Sequence, residues 1–176
     1  MMLKEFRGEP LCVLLIEDNL SHAELIRRNF EGHRIANRLR IVLDGEKALD
    51  YLFRRGEYTD PETSPRPHVI LLDLRLPKID GLEVLREIKT SPELKRLPVV
   101  ILTTSEAEID VAKAYEYHAN SYLTKPVDYE KFKALMDDLG FYWLAWNHYP
   151  WSEPAGARKE APATQRPAEA GTRTDD

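Results

Sequence analysis

Five polar side chains carry the chemistry open to this sequence: Glu17, Asp18, Asp73, Thr103 and Lys125. Each stands where a short apolar run stops. Glu17-Asp18 follows Leu11-Cys12-Val13-Leu14-Leu15-Ile16, Asp73 follows Val69-Ile70-Leu71-Leu72, Thr103 follows Pro98-Val99-Val100-Ile101-Leu102, and Lys125 lies just past Ser121-Tyr122-Leu123. Crowded carboxylates raise one another's pKa unless a cation joins them. Magnesium meets that need, because it takes carboxylate oxygens, a backbone carbonyl and water and leaves positions for phosphate oxygens. Lys125 adds a second positive charge opposite the metal. Such a set suits phosphoryl transfer, where catalysis is mostly positioning and charge neutralisation. Asp73 is then the nucleophile that forms an acyl phosphate. Glu17, Asp18, Asp73 and the backbone carbonyl of Arg75 hold the Mg2+, while Thr103 and Lys125 meet the phosphoryl oxygens. Taken singly the residues are ordinary, since an Asp can simply end a strand or open a turn. Their joint placement at strand exits is what marks a site.

The apolar runs are the elements that must position these groups. Uninterrupted runs of four to six apolar residues suit parallel strands buried on both faces, whose carboxyl ends are where ligands of open α/β sheets bind. Asp73 is expected to face solvent there on a rigid stem. Asn19-Leu20-Ser21 predicts a turn and cap for a helix carrying Ala23, Ile26 and Phe30, stopped by Gly32. A short second strand at 39–43 precedes a helix with Ala48, Leu49 and Leu52, and residues 56–67, with three prolines, form a long loop. Leu82, Leu85 and Ile88 mark a third helix, and Ser105 or Thr104 is the expected cap of a fourth from about Glu106 to Tyr117 or His118. Asp128 caps a last helix with Phe132, Leu135, Met136, Leu139 and Trp143 on one stripe, which Gly140 is expected to bend or end. Five strands alternating with five helices specify a doubly wound α/β fold with a parallel sheet. A cis bond at Pro126 would aim Lys125 inward.

The whole chain narrows the function further. It has 176 residues and a formal charge of -5, so there is room for one domain and no uniform basic surface for nucleic acid. No apolar stretch approaches the roughly 18 residues that cross a bilayer. The chain is therefore expected in the cytoplasm, without membrane contact. Cys12, the single cysteine, reads as a buried hydrophobe, and the five histidines show no metal-ligand spacing. Residues 1–10 form an N-terminal extension, 11–151 the domain, and 152–176, poor in apolar residues beyond alanine, a tail expected to be disordered. No output domain is expected after Trp151, so action by protein contact follows.

In order and spacing, the motifs around Glu17-Asp18-Asn19, Asp73 to Pro77 with Asp80-Gly81, Thr103 and Tyr122-Leu123-Thr124-Lys125-Pro126 resemble the receiver domain of two-component signalling, with its CheY-like fold. The resemblance implies a flavodoxin-like sheet in the order 2-1-3-4-5. It also implies that Asp73 takes phosphate from a kinase phosphohistidine with Mg2+ at the acidic pocket, and that Thr103 and Tyr122 report the change, the ring turning inward. Arg75 and Ser105 would flank the phosphoryl group. The long loop and the aromatic stretch 141–146 further resemble stand-alone response regulators paired with bacterial phytochrome kinases. Phe141 and Leu144 fall off the last helix's stripe, and Tyr149 and Trp151 follow. Together with Tyr115 they suggest a partner surface, here a homodimer through the fourth helix, fifth strand and fifth helix; the alternative is that the extension folds back on its own domain. Two other functions compete. An aspartyl phosphatase would need a second acid where Arg75 stands, and a non-phosphorylated adaptor would not need the five polar residues.

Overall fold

Strands β1 (Leu11–Ile16) and β3 (Val69–Leu72) consist entirely of buried residues, because both lie inside a parallel sheet covered on its two faces. The computed structural model describes residues 10–33 and 37–150. With β2 (Asn37–Val42), β4 (Val99–Thr103) and β5 (Ser121–Thr124), these strands form one sheet in the order β2-β1-β3-β4-β5, every pairing parallel. The expected fold and strand order are thus observed.

Side-chain alternation along each strand feeds two separate cores. Leu14, Ile16, Ile70, Leu72 and Ile101 point to one face. There they meet α2 (Gly45–Leu52), α3 (Gly81–Thr90) and α4 (Glu108–Glu116) through Leu49, Leu52, Leu85, Ile88 and Ala114. Val13, Leu15, Leu71, Val100 and Leu102 point to the other. That face is covered by α1 (Leu20–Glu31) and α5 (Tyr129–Phe141) through Ile26, Phe30, Phe132, Met136 and Leu139. The register pairs Ile16 with Leu72, Leu72 with Ile101 and Thr103 with Thr124. The residues just past these positions therefore share one edge of the sheet.

Most helices begin at an Asn or Asp cap, as expected at Asn19 and Asp128. Asn19, Asp44, Asp80 and Asp128 each accept a backbone N–H of the first turn that follows, from His22, Lys47, Leu82 and Lys131. The fourth helix does not. It starts two residues later than expected, at Glu108, with Ala107 in the cap position and no side-chain cap. The Ser105 oxygen accepts the Ala107 N–H at 3.4 Å, ahead of the helix, while its hydroxyl donates to Asp110 Oδ2 at 2.6 Å. The loop at 56–67 holds a short 3-10 turn (Gly56–Tyr58) and is pinned by the Tyr51 hydroxyl, which donates to the Pro65 carbonyl at 2.7 Å.

The carboxyl-terminal extension bears out one expectation and corrects another. Helix α5 ends at Phe141, one residue past Gly140, and passes into a wider π-helical turn (Tyr142–Trp146). A Cβ at Gly140 would lie 2.3 Å from His33 Nε2, so a larger residue there would have to displace the imidazole. Leu144 is 1% exposed and packs with Phe132 and Leu139, and Tyr149 is buried in the same core. The extension thus folds back on its own domain, and Leu144 offers no partner surface. Phe141, Tyr142 and Trp146 stay exposed. Trp151, the 152–176 tail and nearly all of the N-terminal extension lie outside the described residues.

Gly81 follows the loop that leaves β3, and a Cβ there would sit 2.3 Å from the Asp73 carbonyl oxygen and 2.5 Å from the Leu74 Cα. Gly32 has more room, its Cβ position 3.4 Å from the nearest carbonyl oxygen. Gly81→Ala is expected to lower stability by about 1–3 kcal/mol through overpacking, with Gly32→Ala near neutral, both read from urea unfolding midpoints.

Candidate functional site

Because β1, β3, β4 and β5 end at one edge, Glu17, Asp18, Asp73, Thr103 and Lys125 converge there. Glu17, Asp18 and Asp73 each bring a carboxylate oxygen within 4.8 Å of the others. Asp18 is exposed, whereas Glu17 and Asp73 are buried. Asp73 does not stand out into solvent as its strand-end position suggests: it is 7% exposed. What makes that burial tolerable is Lys125, itself 4% exposed. Its ammonium donates to Asp73 Oδ2 at 2.8 Å and forms a very short ion pair with Glu17 Oε2. Two buried carboxylates thus share one buried cation.

The remaining valences are filled locally. The Arg75 backbone N–H donates to Asp73 Oδ1 at 3.1 Å, and the Asn19 N–H donates to Glu17 Oε1 at 3.0 Å. Burial pushes the Asp73 carboxyl up, but the Lys125 ammonium, the Arg75 N–H and the Thr103 hydroxyl outweigh it and hold the group below the ordinary carboxylate range. Glu17 goes the other way. Its burial raises the pKa further than Lys125 and the Asn19 N–H lower it. Lys125 reaches Asp73 with its following peptide bond trans, since no cis bond occurs among the described residues. The inward aim comes from the strand exit instead: the Lys125 N–H is held by the Thr103 carbonyl at 2.7 Å.

Two residues near this centre escaped sequence reasoning. His22 Nδ1 lies 3.2 Å from the Lys125 ammonium. An ammonium can only donate, so Nδ1 is the acceptor and the imidazole carries its proton on Nε2. Burial and the neighbouring ammonium lower the His22 pKa accordingly. Asp110, on the first turn of α4, pairs with the Arg75 guanidinium at 2.5 Å and accepts from Ser105. Nothing in the sequence adds Asp110 to the expected pair of Arg75 and Ser105. His22 is legible only once α1 is placed beside β5. Thr103 is fully buried and its Oγ accepts the Ser105 N–H at 3.3 Å. Tyr122 packs against the core on the α3/α4 face, and its hydroxyl donates to the Ser105 carbonyl at 2.9 Å. Tyr115 is half exposed on α4.

A doubly wound parallel sheet whose carboxyl edge gathers acids, a hydroxyl and a lysine is an α/β domain of the phosphoryl-handling type. The chain belongs to the response regulator receiver domain family, which matches residues 13–137. It is 45% identical over 142 residues to the probable methanogenesis regulatory protein FilR2 of Methanothrix harundinacea, covering 81% of this chain and 89% of that protein. It is also 45% identical over 135 residues to the response regulator Rcp1 of Synechocystis, covering 77% and 90%. The Mn2+-bound crystal structure of Rcp1 matches 80% of this chain and 99% of that one, with a TM-score of 0.76 at 44% identity. The phosphorylated cyanobacterial phytochrome response regulator RcpA gives the same coverage and TM-score at 38% identity. No helix among the described residues is long and apolar enough to cross a membrane.

Lys125→Met would leave Glu17 and Asp73 buried without their cation, and is expected to cost the metal-free protein about 3–5 kcal/mol near neutral pH, measured by urea unfolding. The pH dependence of Asp73 has a definite sign. Its folded pKa lies below an unfolded value of about 3.9, so its stabilisation is complete above that pH and is lost as pH falls through the lower folded value. The stability gap between wild type and Asp73→Asn should be flat above about pH 4 and narrow below it.

Proposed function

We propose that the chain is a phosphoacceptor response regulator that takes a phosphoryl group from the phosphohistidine of a sensor kinase onto Asp73 and signals by protein contact. The observation that carries this reading is the pairing of Asp73 with a buried ammonium beside two further acids. Asp73 Oδ2, now bonded to Lys125, is the oxygen that attacks phosphorus, and the leaving nitrogen departs with the kinase imidazole. Lys125 stays with the transferred group and neutralises its oxygens. Thr103 supplies a hydroxyl from the adjacent strand end. The hard-oxygen set of Glu17, Asp18 and Asp73 fits Mg2+, with the Arg75 carbonyl as a fourth ligand. When bound, Mg2+ neutralises the charge on the transferred phosphoryl group.

Several finer assignments follow from the same reading. The chain is no enzyme in the ordinary sense: it catalyses only its own phosphorylation and slow dephosphorylation. Thr103 and Tyr122 transmit the phosphorylated state, and the bond from the Tyr122 hydroxyl to the carbonyl of Ser105, whose N–H is held by Thr103, supports that role. The kinase partner is of the phytochrome type, by likeness to Rcp1 and RcpA. The working site is the cytoplasm, where such kinases present their phosphohistidine, and neither nucleic acid nor membrane is a partner. Residues 11–151 act as one receiver unit with an extended carboxyl-terminal helix. A homodimer forms through α4, β5 and α5, where Tyr115, Ile109 and Tyr129 are exposed, with Phe141 at its margin. Sedimentation of wild type against Tyr115→Glu tests that contact, the variant shifting toward monomer.

Incubation with acetyl phosphate and Mg2+, followed by intact mass, is expected to show one added phosphoryl group on wild type and none on Asp73→Asn. Chelation with EDTA is expected to abolish the wild-type adduct. Failure to accept phosphate from acetyl phosphate and from a phytochrome kinase alike would favour the adaptor alternative.

A further inference from the structure

Helix α4 is held unusually lightly. Of its nine residues only Asp110 and Ala114 are buried, and its N-terminus has no side-chain cap. Its buried side chains are thus one methyl group and one carboxylate, and the carboxylate needs partners to stay there. It has two, both through Oδ2: the Arg75 guanidinium at 2.5 Å and the Ser105 hydroxyl at 2.6 Å. The first is the more consequential, being a charge facing a charge.

Arg75 belongs to both places at once. Its backbone N–H holds Asp73 Oδ1 at 3.1 Å, while its side chain, 60% exposed, turns to α4. An Arg anchored that close to Asp73 is within reach of any phosphoryl group placed there. A phosphoryl group offers more negative charge and more acceptor oxygens than one carboxylate, and guanidinium prefers such a partner. Ser105 extends the chain of contacts, since its carbonyl holds the Tyr122 hydroxyl and its N–H bonds Thr103.

We propose that Asp110 is a positioning residue that holds the Arg75 guanidinium on α4, and that phosphorylation of Asp73 draws this guanidinium away and so unseats the helix. The exchange rests on the phosphoacceptor reading above. It makes α4 the output of a competition between two anions for one cation, with Asp110 left to Ser105 alone in the phosphorylated state. No bond is made or broken beyond these contacts.

The test uses the full chain with acetyl phosphate and Mg2+, and follows both amide hydrogen exchange in α4 and the decay of the acyl phosphate by intact mass. Wild type is expected to exchange several-fold faster in α4 once phosphorylated. Unphosphorylated Asp110→Asn and Arg75→Ala are expected to exchange already at that faster rate, while Asp110→Glu stays near wild type. Asp110→Asn is also expected to change the acyl-phosphate lifetime about threefold when Arg75 is present and to have no effect in the Arg75→Ala background, as coupled neighbours do. A purely structural Asp110 would alter exchange without that dependence on Arg75, and would overturn the proposal. So would α4 exchange that phosphorylation leaves unchanged. Should Asp110→Asn not fold, Arg75→Ala, altered at an exposed side chain, carries the exchange test alone. Absence of any adduct from acetyl phosphate and from a phytochrome kinase alike would instead overturn the phosphoacceptor reading and this proposal with it.

Discussion

One buried ammonium makes the rest of this site possible. Without Lys125, the Glu17 and Asp73 carboxylates at the sheet edge would be two desolvated charges of the same sign. With it, both acids can stay inside the fold, close enough to Asp18 to form a hard-oxygen pocket. The lysine in turn depends on the sheet. Its position is set by β5 leaving the sheet beside β4, where its backbone N–H finds the Thr103 carbonyl. The acids and the base come from strands far apart in sequence, and only parallel pairing brings their exits to one edge.

That dependence explains what was legible in the sequence. Val69 to Leu72 and Leu11 to Ile16 announce buried parallel strands because their apolar runs are unbroken, and the residue at which each run stops marks the site. Asn19 and Asp128 announce helix starts because an Asx side chain can satisfy only a nearby N–H. Contacts between elements were not legible. The depth of Asp73, the turn of His22 toward Lys125 and the Arg75–Asp110 pair all depend on how helices lie over the sheet edge, which no local pattern encodes. Ser105 also misled. As a hydroxyl before a helix it suits a cap, but α4 starts only at Glu108, so its oxygen accepts the Ala107 N–H ahead of the helix while its hydroxyl donates to Asp110.

The two faces of the sheet are covered unequally, and the difference matches what each has to do. On one side α1 and α5, joined by the buried Leu144 and Tyr149, enclose a continuous apolar layer. On the other, α2 and α3 supply most of the cover, while α4 contributes Ala114 and a carboxylate. Low local burial is where a fold opens first. A domain built this way can keep its sheet rigid and let a single helix respond, with no need to disturb the core that positions the chemistry.

The contact between His33 and Gly140 has a consequence of another kind. The imidazole lies where any larger residue at 140 would place its Cβ, so His33, just past the end of α1, rests against the last turn of α5. A larger residue at 140 therefore requires the His33 ring to move first. In Gly140→Ala the imidazole, being the end of a side chain, would swing aside before the two helices had to part.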